Sequence, residues 1–279
     1  MRGRKQWEGF FFILPSLTGV LVFIFLPFLD VVRRSFTEVV SGKFVGLKNF
    51  ETIFANSAFL QASFNTIRFT AVCIPLLVFL SLGTAVLLQG KKRTGSFLKS
   101  MFLMPMAIPV ASVVLLWKLL FHPKGFLNGF LSMVGLAAVD WMNSEYAFGV
   151  LVFSYIWKNL GYDIILWLAG LAAISPDIYE AARVDGAGEW RCFFSITLPN
   201  LLPSLYTIAV LSFLNSFKVF REAYLVAGDY PHSSIYMMQH LFNNWFRELS
   251  VDKMAAGAVV NAGVILILVL LLQRAWEKV

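Results

Sequence analysis

Charge and catalytic groups are what this sequence has least of. Asp, Glu, Lys and Arg make up 14% of it, against about 25% in an ordinary soluble domain. Histidine occurs only as His122, His232 and His240, without metal-ligand spacing and with no H-E-x-x-H; this gives no support to a metallohydrolase. There is no G-x-S-x-G elbow, so a serine-hydrolase nucleophile has no place. There is no G-x-x-x-x-G-K-[ST], so the chain has no P-loop to cradle nucleotide phosphates. If ATP drives its activity, another subunit must hydrolyse it. Two cysteines are present. Cys73 falls in an apolar run and Cys192 in a charged loop, so no disulfide is expected. No metal and no cofactor is implied, and no internal repeat is visible.

Apolar residues take up the space. They account for 58% of the chain, with 28 Phe and a mean hydropathy of +0.73. That composition belongs to an integral membrane protein. The net charge of +7 is read as basic residues flanking spans, not as a nucleic-acid surface, since no basic stripe interleaved with aromatics is present. A bilayer core of about 30 Å takes roughly twenty helical residues. Six stretches qualify, at about 9–29, 69–90, 100–120, 146–171, 201–225 and 254–273. One all-α membrane domain over 1–279 is expected. The first run is too long for a signal-peptide core and has no small-residue cleavage site after it, so it reads as a retained span.

Six spans put both termini on one side. Arg2, Arg4 and Lys5 precede the first span, and Lys91, Lys92, Arg93 and Lys99 lie between the second and third. These compact clusters favour cytoplasmic termini; Arg33 and Arg34 run against them. Prolines at 15, 27, 75, 105, 109 and 203 fall inside spans, where each removes a helix hydrogen bond. Arg68, at the entry to the second span, is expected to snorkel to the interface. Tryptophans 117, 141, 157, 167 and 245 are expected mostly in interfacial belts.

The segment 175–199, SPDIYEAARVDGAGEWRCFFSITLP, is the most informative. Ser175 suits an N-cap and Pro176 the first helical position. Asp177 and Glu180 lie in the first turn, where the helix dipole favours acids. Gly186 and Gly188 interrupt the run. A second short helix is expected over 189–197, ending against Pro199. The alanines keep one face thin enough for another protein to approach closely.

This segment resembles the EAA signature of binding-protein-dependent ABC importer permeases. Glu180-Ala181-Ala182 is followed at the family's spacing by Gly186, then Ile196 and Leu198-Pro199. The longer Tyr179 to Ala187 wording, with Asp185-Gly186-Ala187, is similar to the carbohydrate branch, the maltose-type permeases. The stretches 44–50, Asn65-Thr66 and Leu168–Leu171 also resemble the family, so the likeness covers nearly the whole chain. It implies a six-span type I permease fold with a coupling helix between spans four and five. Tyr179, Glu180, Ala181, Ala182, Asp185, Gly186 and Ala187 would contact the ATPase. The implied partners are a second homologous permease, a cytoplasmic ATPase dimer, an extracytoplasmic sugar-binding protein and membrane lipid, in a bacterial or archaeal cytoplasmic membrane. The chain itself would be a non-catalytic subunit.

Polar groups within spans are costly and usually face a cavity or a partner. Span four holds Lys158, Asn159 and Asp163. Asp163 stands where the family usually has an apolar residue, and either contacts substrate or pairs with Lys158 or a partner charge. In span five, Asn215, Lys218 and Glu222 share one face, with Lys218 and Glu222 at i, i+4. Phe217, Phe220 and Tyr224 supply aromatics that suit a sugar ring. Asn159, Asp163, Asn215, Lys218 and Glu222 are the candidate substrate pathway, and a structural ion pair is the competing account. Ala227 to Pro231 departs from the T-x-GGP segment common in the family. An ion-coupled secondary transporter using Asp163 and Glu222 is the alternative function, and an amino-acid or phosphate importer a nearer rival.

Overall fold

Backbone groups in hydrocarbon have only one another to bond to, which favours helices in so apolar a chain. The computed structural model describes residues 12–90 and 92–277, which are overwhelmingly helical. Among the described residues no strand occurs, and there is one isolated bridge, Thr37 to Phe44. Residues 9–11 of the first expected span, with Arg2, Arg4, Lys5, Lys91 and Lys278, lie outside the described residues.

Helix α1 is Phe12–Ser35, α2 Lys48–Phe54 and α3 Ser57–Leu88. Lys92–Ala107 and Val110–Leu120 form α4 and α5. Next come α6, Phe126–Met133, α7, Tyr146–Ala172, α8, Pro176–Val184, and α9, Glu189–Cys192. After a π turn at Phe193–Thr197 and a single turn at Leu198–Asn200 comes α10, Leu202–Ser216. The chain ends with α11, Phe220–Ala227, α12, Met238–Arg247, and α13, Val251–Glu277. Four helical stretches are long and apolar enough to cross a membrane: Phe12–Ser35, Ser57–Leu88, Leu202–Tyr224 and Val251–Arg274. Two bent pairs raise the number to as many as six if each is one crossing.

The expected span at about 100–120 falls on the first bent pair. Its halves meet at 93°. Pro109 has no N–H to give, and a residue before proline is pushed out of the α region. Pro109 is itself extended at ψ 141°, and α5 restarts at Val110. Pro75, deep in α3, causes no break. In α1 the cost of Pro27 is absorbed by a π turn: the Leu26 N–H reaches back to the Leu21 carbonyl, a common device beside a helix break. Helix α3 begins well before 69, so Arg68 lies inside a helix, with its guanidinium 4.1 Å from the centre of the Phe148 ring. That cation–π seat holds the guanidinium of a side chain that remains exposed.

The chain divides into two units. One runs to Leu60 and takes up Leu241–Gln273; the other holds Gln61–His240 and the chain from Arg274. In the first, Phe59 stacks on Trp245 at 6.2 Å. In the second, α7 is the central element. Toward one end Phe148, Tyr155 and Ile156 pack with Phe69 and Cys73 of α3 and with Ala223 of α11. Toward the other, Ile164, Trp167 and Leu171 pack with Ala85 and Leu88 of α3 and with Ile208 of α10. Gly161 lets α7 meet α4 backbone to backbone: a Cβ there would lie 2.0 Å from the Phe102 carbonyl oxygen. The expected belt of tryptophans is partly a core. Trp117, Trp167 and Trp245 are buried. The first two reach hydroxyls across helices, Trp117 Nε1 to Ser154 Oγ at 2.7 Å and Trp167 Nε1 to Ser81 Oγ at 2.9 Å, the partners a buried indole N–H needs.

Candidate functional site

Helix α8 leaves α7 at 65°. Ser175 is its N-cap, with Oγ accepting from the Asp177 N–H at 3.3 Å, and Pro176 opens the first turn. Its end is a left-handed glycine cap. Gly186 has φ +79°; the Ala187 N–H bonds the Ala182 carbonyl at 2.9 Å and the Gly186 N–H bonds the Arg183 carbonyl at 3.0 Å. That pair of bonds closes the helix and needs a residue tolerant of positive φ. No residue of α8 is buried. Glu180, Ala181, Asp185 and Gly186 are exposed, and Tyr179, Ala182 and Ala187 half-buried. Ile178 and Val184 stand 45% and 88% exposed on the helix that also carries Asp177, Glu180 and Arg183, an apolar surface left without cover.

Tyr179 points the other way. Its hydroxyl lies 2.9 Å from Thr197 Oγ1 and ties α8 to the π turn that follows α9. The expected short helix over 189–197 is present as α9, to Cys192, and the π turn, to Thr197, but it does not end against Pro199, which lies within the helical turn that continues to Asn200. As at Pro27, the π turn absorbs the proline, with the Leu198 N–H reaching back to the Phe193 carbonyl, so Pro199 does not act as a stop. Beside the loop lies a groove of about 1010 Å³, with Glu180, Arg183 and Glu189 on its rim and Leu82, Val86 and Phe193 inside it. Arg183 and Glu189 pair at 3.0 Å while both remain exposed, which contributes little to stability.

The second candidate cluster lies between α7, α10 and α11. Asp163 is buried and accepts from Ser212 Oγ at 2.9 Å. The Ser212 carbonyl accepts from the Tyr155 hydroxyl at 2.7 Å, and the Tyr155 carbonyl from Asn159 Nδ2 at 2.8 Å. Lys158 pairs with Glu222, Nζ to Oε1 at 2.6 Å, with both side chains largely buried. The other carboxylate oxygen, Oε2, is buried with no hydrogen-bond partner among the described residues. This corrects the expected Lys218–Glu222 pair, and Lys158 does not pair with Asp163. A 3-10 turn over Phe217–Val219 breaks the α-helical register between positions 218 and 222, and Lys218 bonds Asn215 Oδ1 at 2.7 Å instead. So Asn159 and Asp163 join one network, Glu222 joins Lys158, and Asn215 with Lys218 forms a separate pair.

Sequence reading missed Tyr155, Ser212 and the choice of Lys158 for Glu222. A lone serine or tyrosine in an apolar run carries no signal of its partner on another helix. Asn65 is similar: its amide nitrogen bonds the carbonyls of Ser233 at 2.7 Å and Tyr236 at 2.9 Å, and Thr66 Oγ1 accepts from the Met238 N–H at 3.1 Å. These bonds pin the 232–238 segment to α3.

An exposed, capped helix at the end of a long apolar helix, in a chain with at least four helices long and apolar enough to cross a membrane, fits a helical membrane protein. The model of the binding-protein-dependent transport system inner membrane component family matches residues 77–278. The chain belongs to that family and is a membrane-spanning permease subunit. It is 32% identical over 252 residues to the trehalose/maltose transport system permease protein MalF of Thermococcus litoralis, covering 88% of this chain and 85% of that one. It is 30% identical over 277 residues to the sn-glycerol-3-phosphate transport system permease protein UgpA of Salmonella typhimurium, covering 95% and 92%. A bacterial ABC transporter involved in the import of the acidic polysaccharide alginate has a chain of like fold, with a TM-score of 0.86, 22% identity and coverage of 99% and 97%.

Proposed function

We propose that this subunit forms half of the translocation pore of an ATP-driven importer of a carbohydrate or a carbohydrate-like polyol, and that α8 is its coupling helix. The uncovered face of α8 carries the reading: Ile178 and Val184 are exposed beside Glu180 and Asp185 on a helix in which nothing is buried. A helix so placed fits a cytoplasmic ATPase. Glu180 anchors it by hydrogen bond or ion pair, Ala181 and Ala182 allow close approach, and Asp185, Gly186 and Ala187 set the bend. Tyr179 holds α8 against Thr197, so a push on α8 reaches α9 and α10. ATP binding then favours one of two pore arrangements by its differential affinity.

In this reading the two bent pairs each count as one crossing, six spans place both termini in the cytoplasm, and a homologous permease completes the pore. An external binding protein delivers the cargo. The sugar assignment draws support from the Tyr-Glu-Ala-Ala and Asp-Gly-Ala wording of the loop and from the named cargoes of the relatives. Asn159, Asp163, Asn215, Lys218 and Glu222 form the candidate cargo pathway, since amides and carboxylates suit hydroxyls. Lys218 is exposed and Asn215 half-buried, whereas Asp163 and Glu222 are buried.

The test is to purify the tagged chain in mild detergent and assay uptake by its variants. An ATPase and a second permease are expected to accompany it. Gly186→Asp and Ala182→Asp are expected to abolish uptake while the chain still inserts. Normal uptake by both well-expressed variants, or recovery of the chain alone, would overturn the coupling role.

A further inference from the structure

Helix α6 has one face held and the other bare. Asn128 lies on the held face. Its amide nitrogen bonds the carbonyls of His122, Pro123 and Val139, and its oxygen accepts from the Val139 N–H and from Trp141 Nε1. On the opposite stripe, at i, i+4 and i+7, Phe126, Phe130 and Met133 are 76%, 59% and 85% exposed. Val134 and Leu136 extend the bare patch around the turn at Gly135.

Residues 125–139 contain no charged side chain; Lys124 and Asp140 bracket them. Helix α2, by contrast, turns Lys48, Glu51 and Thr52 outward. The α6 patch is also continuous with the apolar surface of its neighbours. Leu115 and Leu119 stand exposed on α5, and Tyr146 and Phe153 on α7. A groove of about 480 Å³ joins the two helices to Leu127 of α6.

We propose that α6 is an interfacial helix, lying in the membrane plane with Phe126, Phe130 and Met133 sunk into lipid. A helix of 8 residues is about 12 Å long, far too short to cross. Lipid binding by a helix lying in the membrane plane scales with the apolar area it buries, and here the whole bare stripe is apolar while a polar side chain opposite it, Asn128, is held by the protein. A soluble partner that docks and leaves would meet a more polar surface. The stretch 126–136 is therefore part of the membrane-embedded surface, and it anchors α5, the outer half of the sharply bent pair. Which leaflet holds it, the outer, rests on the six-span reading above.

The test labels Phe130→Cys with an environment-sensitive fluorophore in the assembled transporter, reconstituted in liposomes. Cys73 and Cys192 are buried, so the unmodified chain sets the background. Two quenchers are compared: phosphatidylcholine carrying a spin label near the headgroup end of its acyl chain, and aqueous iodide. The expected result is quenching by the spin-labelled lipid severalfold stronger than at an Asp140→Cys control, with little effect of iodide. Strong iodide quenching would mean α6 projects into water, and silence toward both quenchers would mean a protein covers it; either overturns the proposal. An impermeant thiol reagent on Lys124→Cys reports the side separately. Reaction only from the cytoplasmic side would sink the six-span orientation and leave the lipid seat standing.

Discussion

Lys158 and Glu222 come from helices far apart in sequence and meet at 2.6 Å, with 18% and 7% of their side chains exposed. Neither charge tolerates that depth without the other, and an unmatched buried ion costs more than a well-formed pair returns. Lys158→Met, which strands the carboxylate, is expected to destabilise the assembled complex by about 3–5 kcal/mol. The double variant Lys158→Met with Glu222→Leu is expected to recover most of that loss. Thermal unfolding in detergent reads both. A single variant as stable as the parent would show that the pair does not hold α7 to α11.

Gly161 marks a backbone-to-backbone contact between α7 and α4. A methyl group there would stand 2.0 Å from the Phe102 carbonyl oxygen, which is backbone and cannot rotate away. Gly161→Ala is expected to destabilise by about 1–3 kcal/mol through overpacking and to disturb the bent pair that begins with α4. Gly149, on the same helix, has nothing within 4 Å of a built Cβ. Gly149→Ala is expected to be neutral or to stabilise by about 0.5–1 kcal/mol, the ordinary helix preference for alanine. Expression level and melting temperature of the two variants, measured side by side, check the contrast.

Helix positions were legible where the chain speaks through composition. Long uncharged runs announce apolar helices, and the Ser175-Pro176 start and Gly186 end of α8 are local chemistry that needs no tertiary knowledge. The 93° bend was only half legible. Pro109 was visible, but six prolines fall inside apolar runs and Pro75 does not interrupt its helix, so the packing around each decides. Cross-helix polar partners were not legible at all. The pairing of Lys218 with Glu222 follows from an ideal helix and fails because three residues of 3-10 turn rotate the register. Ser212 and Tyr155 join Asp163 through contacts that no spacing rule encodes.

Gly186 carries its strain in the backbone, not in packing. Its φ of +79° is the left-handed region, and nothing lies within 4 Å of a built Cβ. Gly186→Ala is expected to cost about 1–2 kcal/mol locally, and Gly186→Asn less, because asparagine visits that region more readily. If α8 couples to an ATPase, uptake should rank parent, then Asn, then Ala, with membrane insertion equal in all three. Equal uptake by Ala and parent would show that the cap geometry is not needed for coupling.

His240 gives the chain an acid-sensitive point outside the spans. It is fully buried, and Nδ1 accepts from the Met237 N–H at 3.2 Å. Its ring meets Phe220 edge-on at 4.7 Å, and Nε2 has no partner among the described residues. Burial pushes its pKa down to about 4, with Asp229 opposing that shift. The folded form therefore keeps a neutral ring in a range where the opened segment, near the ordinary value of 6.5, takes a proton. Between these values the opened state binds more protons, so stability is full above about 6.5 and is lost as pH falls toward 4. The loss over that window is on the order of 3 kcal/mol. Hydrogen exchange of the Met237–Leu241 amides at pH 7 and pH 4.5 is expected to show it. His240→Asn keeps an acceptor for the Met237 N–H but cannot titrate, so its exchange, corrected for the intrinsic rate, should be nearly independent of pH. A variant that loosens with acid as steeply as the parent would place the sensitive group elsewhere.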